Sequence, residues 1–199
     1  LNVSVGYKYL KDVMEWTKYI YPGKEFAYNT SLNFDHKQLL YASVNVSPKL
    51  GIFRPTWGFY YKQQFFDTRK YGASKALSRP LLLCLLDNNF ALSETMNAAI
   101  SLNAATPNAD GFLMMKSNYS VDLRFDKSFA NRTWIIYLSA NDIFKTTKER
   151  WTMYGQGSGT MKDCYNYTRS ISLQVTYNFN AKRSKYKGTG AGNEEKSRL

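Results

Sequence analysis

Asp122, Arg124 and Asp126 stand at intervals of two in the stretch SVDLRFD. Two carboxylates can share acid–base work when they flank one bond. In extended chain, four residues separate these acids by about 13 Å, and Arg124 lies between them. They read as a charged stripe on one strand face. The one histidine, His36, lacks an evident partner, so no Ser/His/Asp set forms, and no metal cluster is visible. Cys84 lies in an apolar run and Cys164 in a polar loop, which suggests neither a disulfide framework nor a metal site. An enzyme is not expected, and no cofactor is implied. Arg150, Trp151, Tyr154 and Tyr165 gather in one glycine-containing stretch. Aromatic rings and an arginine fork can stack on sugars and hold anions in a bidentate grip. The same side chains also serve ordinary loop packing. Lys8 and Lys62 join Asp122, Arg124 and Asp126 on the polar face of strands. They could meet a ligand in a lumen, or simply form a salt-bridged wall.

The elements that carry these residues show a period of two. Ile171, Leu173, Val175, Tyr177 and Phe179 alternate with Ser172, Gln174, Thr176 and Asn178. Successive strand side chains point to opposite faces, so Tyr165 to Phe179 reads as a strand with one greasy and one wet face. Its 15 residues exceed the 9–11 or so that a tilted strand needs to cross a bilayer. The same alternation appears in Leu1–Tyr9, Gln38–Ser47, Phe53–Gln64, Met96–Ala104, Tyr119–Asp126 and Trp134–Ala140. Leu1–Tyr9 loosens from Leu10 onward. Arg79–Phe90 is a further strand with ambiguous facing, because both Leu81/Leu83/Leu85 and Leu82/Cys84/Leu86 are apolar. Eight strands follow.

The connections alternate in length. Long ones fall near 21–37, 65–78, 105–112 and 145–164, and short ones near 48–51, 91–94 and 129–132. Trp57, Phe90, Phe129, Trp134, Tyr177 and Phe179 gather by the short turns, as an interfacial girdle would, with Tyr61, Tyr119 and Tyr167 nearer the other rim. Short turns at one end and long loops at the other mark a transmembrane up-and-down barrel. A soluble antiparallel sandwich also alternates, but soluble strands average about five to six residues, and most of these are longer.

Composition agrees. Sixteen Tyr, twelve Phe and four Trp are enough to build girdles. The longest aliphatic run, Leu81–Leu86, falls far short of the roughly 18 residues of a spanning helix. Net charge is +12, spread without a basic stripe or a recognition motif, so nucleic acid is not an expected partner. The tail, 181–199, concentrates six cationic side chains with glycine and serine and is expected to be flexible and periplasmic. Leu1–Leu10 shows no signal-peptide pattern, so the chain reads as a processed protein or a piece of a longer one.

The block TRSISLQVTYNFNAKRSKYKGTGAGNE, Thr168 to Glu194, resembles the C-terminal end of Bacteroidota outer-membrane β-barrel proteins of the TonB-dependent receptor type. Ser139-Ala140-Asn141-Asp142-Ile143-Phe144 with Arg150-Trp151-Thr152-Met153-Tyr154 resembles the penultimate strand and last external loop of that family. The resemblance implies a parent barrel of about 22 strands with a plugged lumen, of which this chain is the last third or so. It implies import of a scarce, unknown nutrient through the outer membrane. The partners would be outer-membrane lipid, the barrel-assembly machinery through the C-terminal strand, and TonB through an N-terminal region not among these residues. The alternative is a small eight-stranded anchor barrel without transport. In the fragment reading, the first and last strands keep open edges.

Overall fold

The computed structural model describes residues 1–73, 77–157 and 159–179; the tail expectation for 181–199 falls outside them. The strands are β1 (Asn2–Tyr19), β2 (Tyr28–Val46), β3 (Phe53–Phe65), β4 (Leu81–Ser93), β5 (Met96–Ala105), β6 (Asn108–Asp110), β7 (Leu113–Met115), β8 (Asn118–Phe129), β9 (Trp134–Asn141), β10 (Lys148–Met153), β11 (Thr160–Tyr165) and β12 (Ser170–Tyr177). Eight form one sheet in the order β1-β2-β3-β4-β5-β8-β9-β12, an antiparallel up-and-down wall. The other four form a separate sheet, β11-β10-β7-β6.

The wall's register lines up the apolar residues from strand to strand. One rung runs Leu173, Leu138, Phe125, Ala98, Phe90, Phe53. The register also settles the ambiguous strand. Cys84 pairs with Phe59 and Leu86 with Trp57, so Leu82, Cys84, Leu86 and Phe90 share the apolar face, and Leu83 and Leu85 turn to the other. Among the described residues no second layer covers that face. Ile171 is 80% exposed and Phe179 82%. Leaving Ile171, Leu173, Val175, Tyr177 and Phe179 in water costs about 10 kcal/mol together, at about 1.5–3 kcal/mol each. That rivals the whole stability of a typical domain, about 5–15 kcal/mol, so the face belongs in lipid.

The wall does not close into a barrel. Among the described residues no ladder joins β1 to β12, which leaves the open edges of the fragment reading. Both outer strands begin or end at the short-turn end, where Asn2 pairs with Asn45 and Tyr177 with Trp134.

Several boundaries differ from those read in the sequence. The last strand covers Ser170–Tyr177, not Tyr165–Phe179, because Tyr165 closes β11 opposite Lys148. The stretch Glu25–Lys37, which reads in the sequence as a loop with some strand character, is mostly strand, since β2 starts at Tyr28. The alternation breaks there because the hairpin swaps faces. Lys11 and Asp12 on β1, and Asp35 and His36 on β2, are consecutive exposed residues. Asp12 adopts φ +51°, a left-handed conformation that short polar side chains tolerate. Beyond it Val13, Phe34 and Leu32 turn inward, while Met14 and Trp16 turn outward.

The long connections are not loose. The stretches 105–112 and 145–164 contain β6, β10 and β11, and with β7 they build a cap. The cap and the outer half of the β1–β2 hairpin enclose the water-excluded core: Phe34, Phe66, Ala73, Leu77, Ala109 and Phe112, with Tyr71 and Tyr154 against them. Phe34 sits at 5.4 Å from Phe66, 5.2 Å from Phe112 and 4.6 Å from Tyr71. The stretch read as the polar loop 67–78 supplies Tyr71, Ala73 and Leu77 to it.

The cap also grips the far edge of β1. Gln156 N donates to the Lys18 carbonyl at 3.0 Å, and Ile20 N donates to Gln156 Oε1 at 2.8 Å. A Cβ at Gly155 would lie 2.6 Å from that Lys18 oxygen, so glycine is what lets the turn approach.

Candidate functional site

The polar groups that organise the molecule lie where cap meets wall. Gln64 projects from β3 and is 1% exposed. Its Nε2 donates to the carbonyls of Leu77 at 2.7 Å and Gly111 at 3.2 Å, and its Oε1 accepts from Gly111 N at 2.7 Å. The amide therefore stitches two long connections to the wall with no unmet donor, as a buried amide must. Gly111 has φ +54°, and a Cβ there would meet Glu15 Oε2 at 2.2 Å.

Beside it lies a chain of four charges. The Lys37 side chain is 5% exposed, and its Nζ sits 2.6 Å from Glu15 Oε1 and 3.1 Å from Asp110 Oδ1. Asp110 Oδ2 lies 2.8 Å from Lys62 Nζ. Burial alone would push the Asp110 carboxyl up, but the hydrogen bonds and charges of Lys62 and Lys37 outweigh it and hold the group below its usual range. The set is balanced, two cations against two anions, and links β1, β2, β3 and β6. Such a set fixes geometry more than it adds net stability.

A second polar knot closes the end of β9. Asp142 is 2% exposed, with φ +45°. Its carboxylate accepts from Thr146 N at 2.8 Å, from Thr147 N at 3.3 Å and from the Thr168 hydroxyl at 2.7 Å. Burial works to raise this carboxyl, and the hydrogen bonds from Thr168, Thr146 and Thr147 bring it down to about 2. Asp122 Oδ1 accepts from Asp142 N at 2.7 Å.

The residues singled out in the sequence do not converge on one pocket. Lys62 belongs to the charge chain. Arg124 donates to Asn89 Oδ1 at 2.9 Å, and Asp126 accepts from Asn97 at 2.7 Å. The Lys8 ammonium lies 5.8 Å from the Tyr41 ring centre. Arg150 Nη2 donates to the Ser117 carbonyl at 2.6 Å. Trp151 Nε1 donates to Glu149 Oε1 at 2.9 Å, and Glu149 also holds Lys162 at 2.6 Å. The hydrogen bonds from Lys162 and then Trp151 lower the Glu149 carboxyl. Tyr154 packs on the cap core. The Tyr165 ring carries the Lys145 ammonium at 5.1 Å, and its hydroxyl accepts from Arg169 N at 2.8 Å. Cys84 and Cys164 are free thiols on different sheets.

Glu15, Lys37, Gln64, Asp110 and Asp142 were missed as organising residues. Asp142 could have been found: an Asp followed by Thr146 and Thr147 just past a strand is an Asx-type capping signal. The others meet across connections and carry no local sign.

An up-and-down wall with an uncovered apolar face, a polar inner face and long loops gathered at one end defines a β-barrel membrane protein. Residues 1–177 match the model of the outer membrane protein beta-barrel family, and the chain belongs to that family. No curated protein and no solved structure matches it.

Proposed function

We propose that the chain is a section of wall, with its external cap, from an outer-membrane receptor that imports a nutrient with energy relayed by TonB. The observation that carries this reading is that, among the described residues, no strand pairs with the outer edges of β1 and β12. An open edge costs several kcal/mol per unmet group in lipid, so the wall calls for further strands. A barrel wider than eight strands leaves a lumen to be plugged or crossed. By the family habit of short periplasmic turns, the cap lies outside and the termini in the periplasm, with the tail beyond residue 180 there too. TonB would be met through a region outside these residues, and the barrel-assembly machinery through β12. Trp151 and Tyr165, on the β10–β11 hairpin, are the groups offered to a ligand, with Tyr154 buttressing them from the core.

One observation favours the anchor barrel instead. Inner-face polar groups satisfy one another, as in Ser4–Ser43 and Ser139–Ser172, both at 2.7 Å, and Tyr60–Asn45 at 3.1 Å. The test is a gene deletion grown on a panel of limiting nutrients. Loss of growth on one of them, reproduced by loss of TonB, is the expected result. Normal growth on all of them would reject the receptor in favour of the anchor.

A further inference from the structure

The apolar face of the wall is not smooth. One rung runs Val44, Phe59, Cys84, Ala104, Tyr119 across β2, β3, β4, β5 and β8. Two small side chains, Cys84 and Ala104, stand side by side between two rings. The strands bearing those rings are three spacings apart, about 14 Å. The result is a trough of about 730 Å³, within the roughly 300–1,000 Å³ of ligand sites. The next rung, Trp57, Leu86, Leu102, Val121, is large again, and its Leu102 closes that end of the trough. At the other end the trough opens at Ser117 and Asn118, beside the cap.

That mouth is basic. Lys116 precedes Ser117, and its N donates to the Arg150 carbonyl at 2.9 Å. Arg150 Nη2 holds the Ser117 carbonyl, and its Nε is buried without a hydrogen-bond partner. Lys148 N donates to Asn118 Oδ1 at 3.2 Å. Asp163 faces Arg150 across the β10–β11 ladder, yet the only ion pair on that hairpin among the described residues is Lys162–Glu149. The Arg150 guanidinium thus reaches the lining at Ser117, while Lys116 and Lys148 adjoin the lining residues Ser117 and Asn118 through their backbones, and the tyrosines Tyr61 and Tyr119 in the lining mark the level of an interface.

We propose that this trough is a lipid site: one acyl chain lies over Cys84 and Ala104, and the anionic headgroup of the same lipid meets Lys116, Lys148 and Arg150. On the orientation given above, the lipid comes from the outer leaflet. The apolar floor fits a chain and the basic mouth fits a phosphate, at the depth where a membrane lipid presents both.

The test is native mass spectrometry of the protein in a neutral detergent, offered equal amounts of dioleoylphosphatidylglycerol and dioleoylphosphatidylcholine. The anionic lipid should be retained about fivefold more, the factor one cation near a membrane surface supplies. Ala104→Phe and the milder Ala104→Leu fill the trough on a lipid-facing site and should cut retention of both lipids. Lys116→Ala with Lys148→Ala should erase the preference and leave the zwitterionic lipid unaffected. Ala98→Phe lies on the same face away from the trough and should change nothing. Equal retention of the two lipids by the native chain overturns the proposal. So does unchanged retention in both Ala104 variants, or an equal loss in Ala98→Phe. None of these readouts depends on transport, so failure here and failure of the receptor reading are separate outcomes.

Discussion

The wall and the cap are stabilised by opposite solvents. In the wall, apolar side chains point outward with no second protein layer over them among the described residues, and Ile171, Leu173 and Val175 are all exposed. In the cap, Phe112, Leu77 and Met153 are fully buried, and aromatic rings close at 4.6–5.4 Å around Phe34. The wall is a surface waiting for lipid, whereas the cap is a small soluble core standing on it. The two meet through Gln64 and the Glu15–Lys37–Asp110–Lys62 chain. Each part should therefore fail in its own way.

The largest effect is expected in the cap. Phe112→Ala removes a fully buried ring from the cluster and should cost about 3–5 kcal/mol, the usual penalty for a buried Phe. Hydrogen exchange should show amides of β6, β7 and β10 losing protection while those of β8, β9 and β12 keep theirs. Equal loss in both sheets would mean that the cap and wall are one cooperative unit.

Next comes the membrane face. Val175→Arg should cost about 2–4 kcal/mol for folding into lipid vesicles, and Gln174→Arg close to nothing. Unfolding titrations in urea, run from vesicles, measure both. Similar penalties at the two sites would count against the facing assigned to β12, and a larger penalty at Gln174 would reverse it.

The contrast also explains what the sequence could convey. Wall strands announce themselves because lipid imposes one rule at every second residue, and that rule is local. The eight wall strands, their neighbours and their alternating connections could be read this way. The rule lapsed at Leu10–Asp12 because the β1–β2 hairpin swaps faces at Asp12, so the next inward apolar set serves a different core. The cap gave no periodic signal. Phe34, Phe66, Leu77 and Phe112 come from three separate connections, none of which shows a period, and only folding brings them together. The same holds for the site. Lys62 was flagged as a wall charge, but its partner Asp110 lies 48 residues away. Arg150, Trp151, Tyr154 and Tyr165 were flagged by type alone, and the fold distributes them among a core contact, a trough rim and a hairpin surface.

The junction should be weaker than either body. Lys37→Ala strands Glu15 and Asp110 as like charges without their shared cation, which should cost about 2 kcal/mol. Lys37→Met, which keeps the packing, should destabilise by a similar amount if the charge matters and by much less if the stem does the work. Thermal melts of the two variants separate these outcomes. A neutral Lys37→Ala would mean that Gln64 and the Gln156 bonds to β1 hold the cap to the wall without the charge chain.

The smallest effect is a pH dependence confined to the end of β9. Asp142 is held at about 2 against an ordinary 3.8. A depressed carboxyl contributes stability that is fully present above the unfolded value and is lost as pH falls through the folded one. The window is therefore roughly pH 4 down to 2, with nothing expected at neutral pH. Protonation puts a hydrogen on an oxygen that now accepts only, so one of the bonds from Thr146 N, Thr147 N or the Thr168 hydroxyl must give way. The stretch between β9 and β10 should then open while β10 and β11 remain paired, because their register rests on the cap. Exchange of the Thr146 and Thr147 amides, followed from pH 6 to pH 2.5 and normalised to an exposed reference amide, reads this directly. Protection should fall over that interval in the native chain. Asp142→Asn keeps a side-chain carbonyl oxygen but cannot ionise, so its protection should start lower and stay flat. A native profile that is also flat would show that the knot holds by its hydroxyl and backbone geometry without need of the charge.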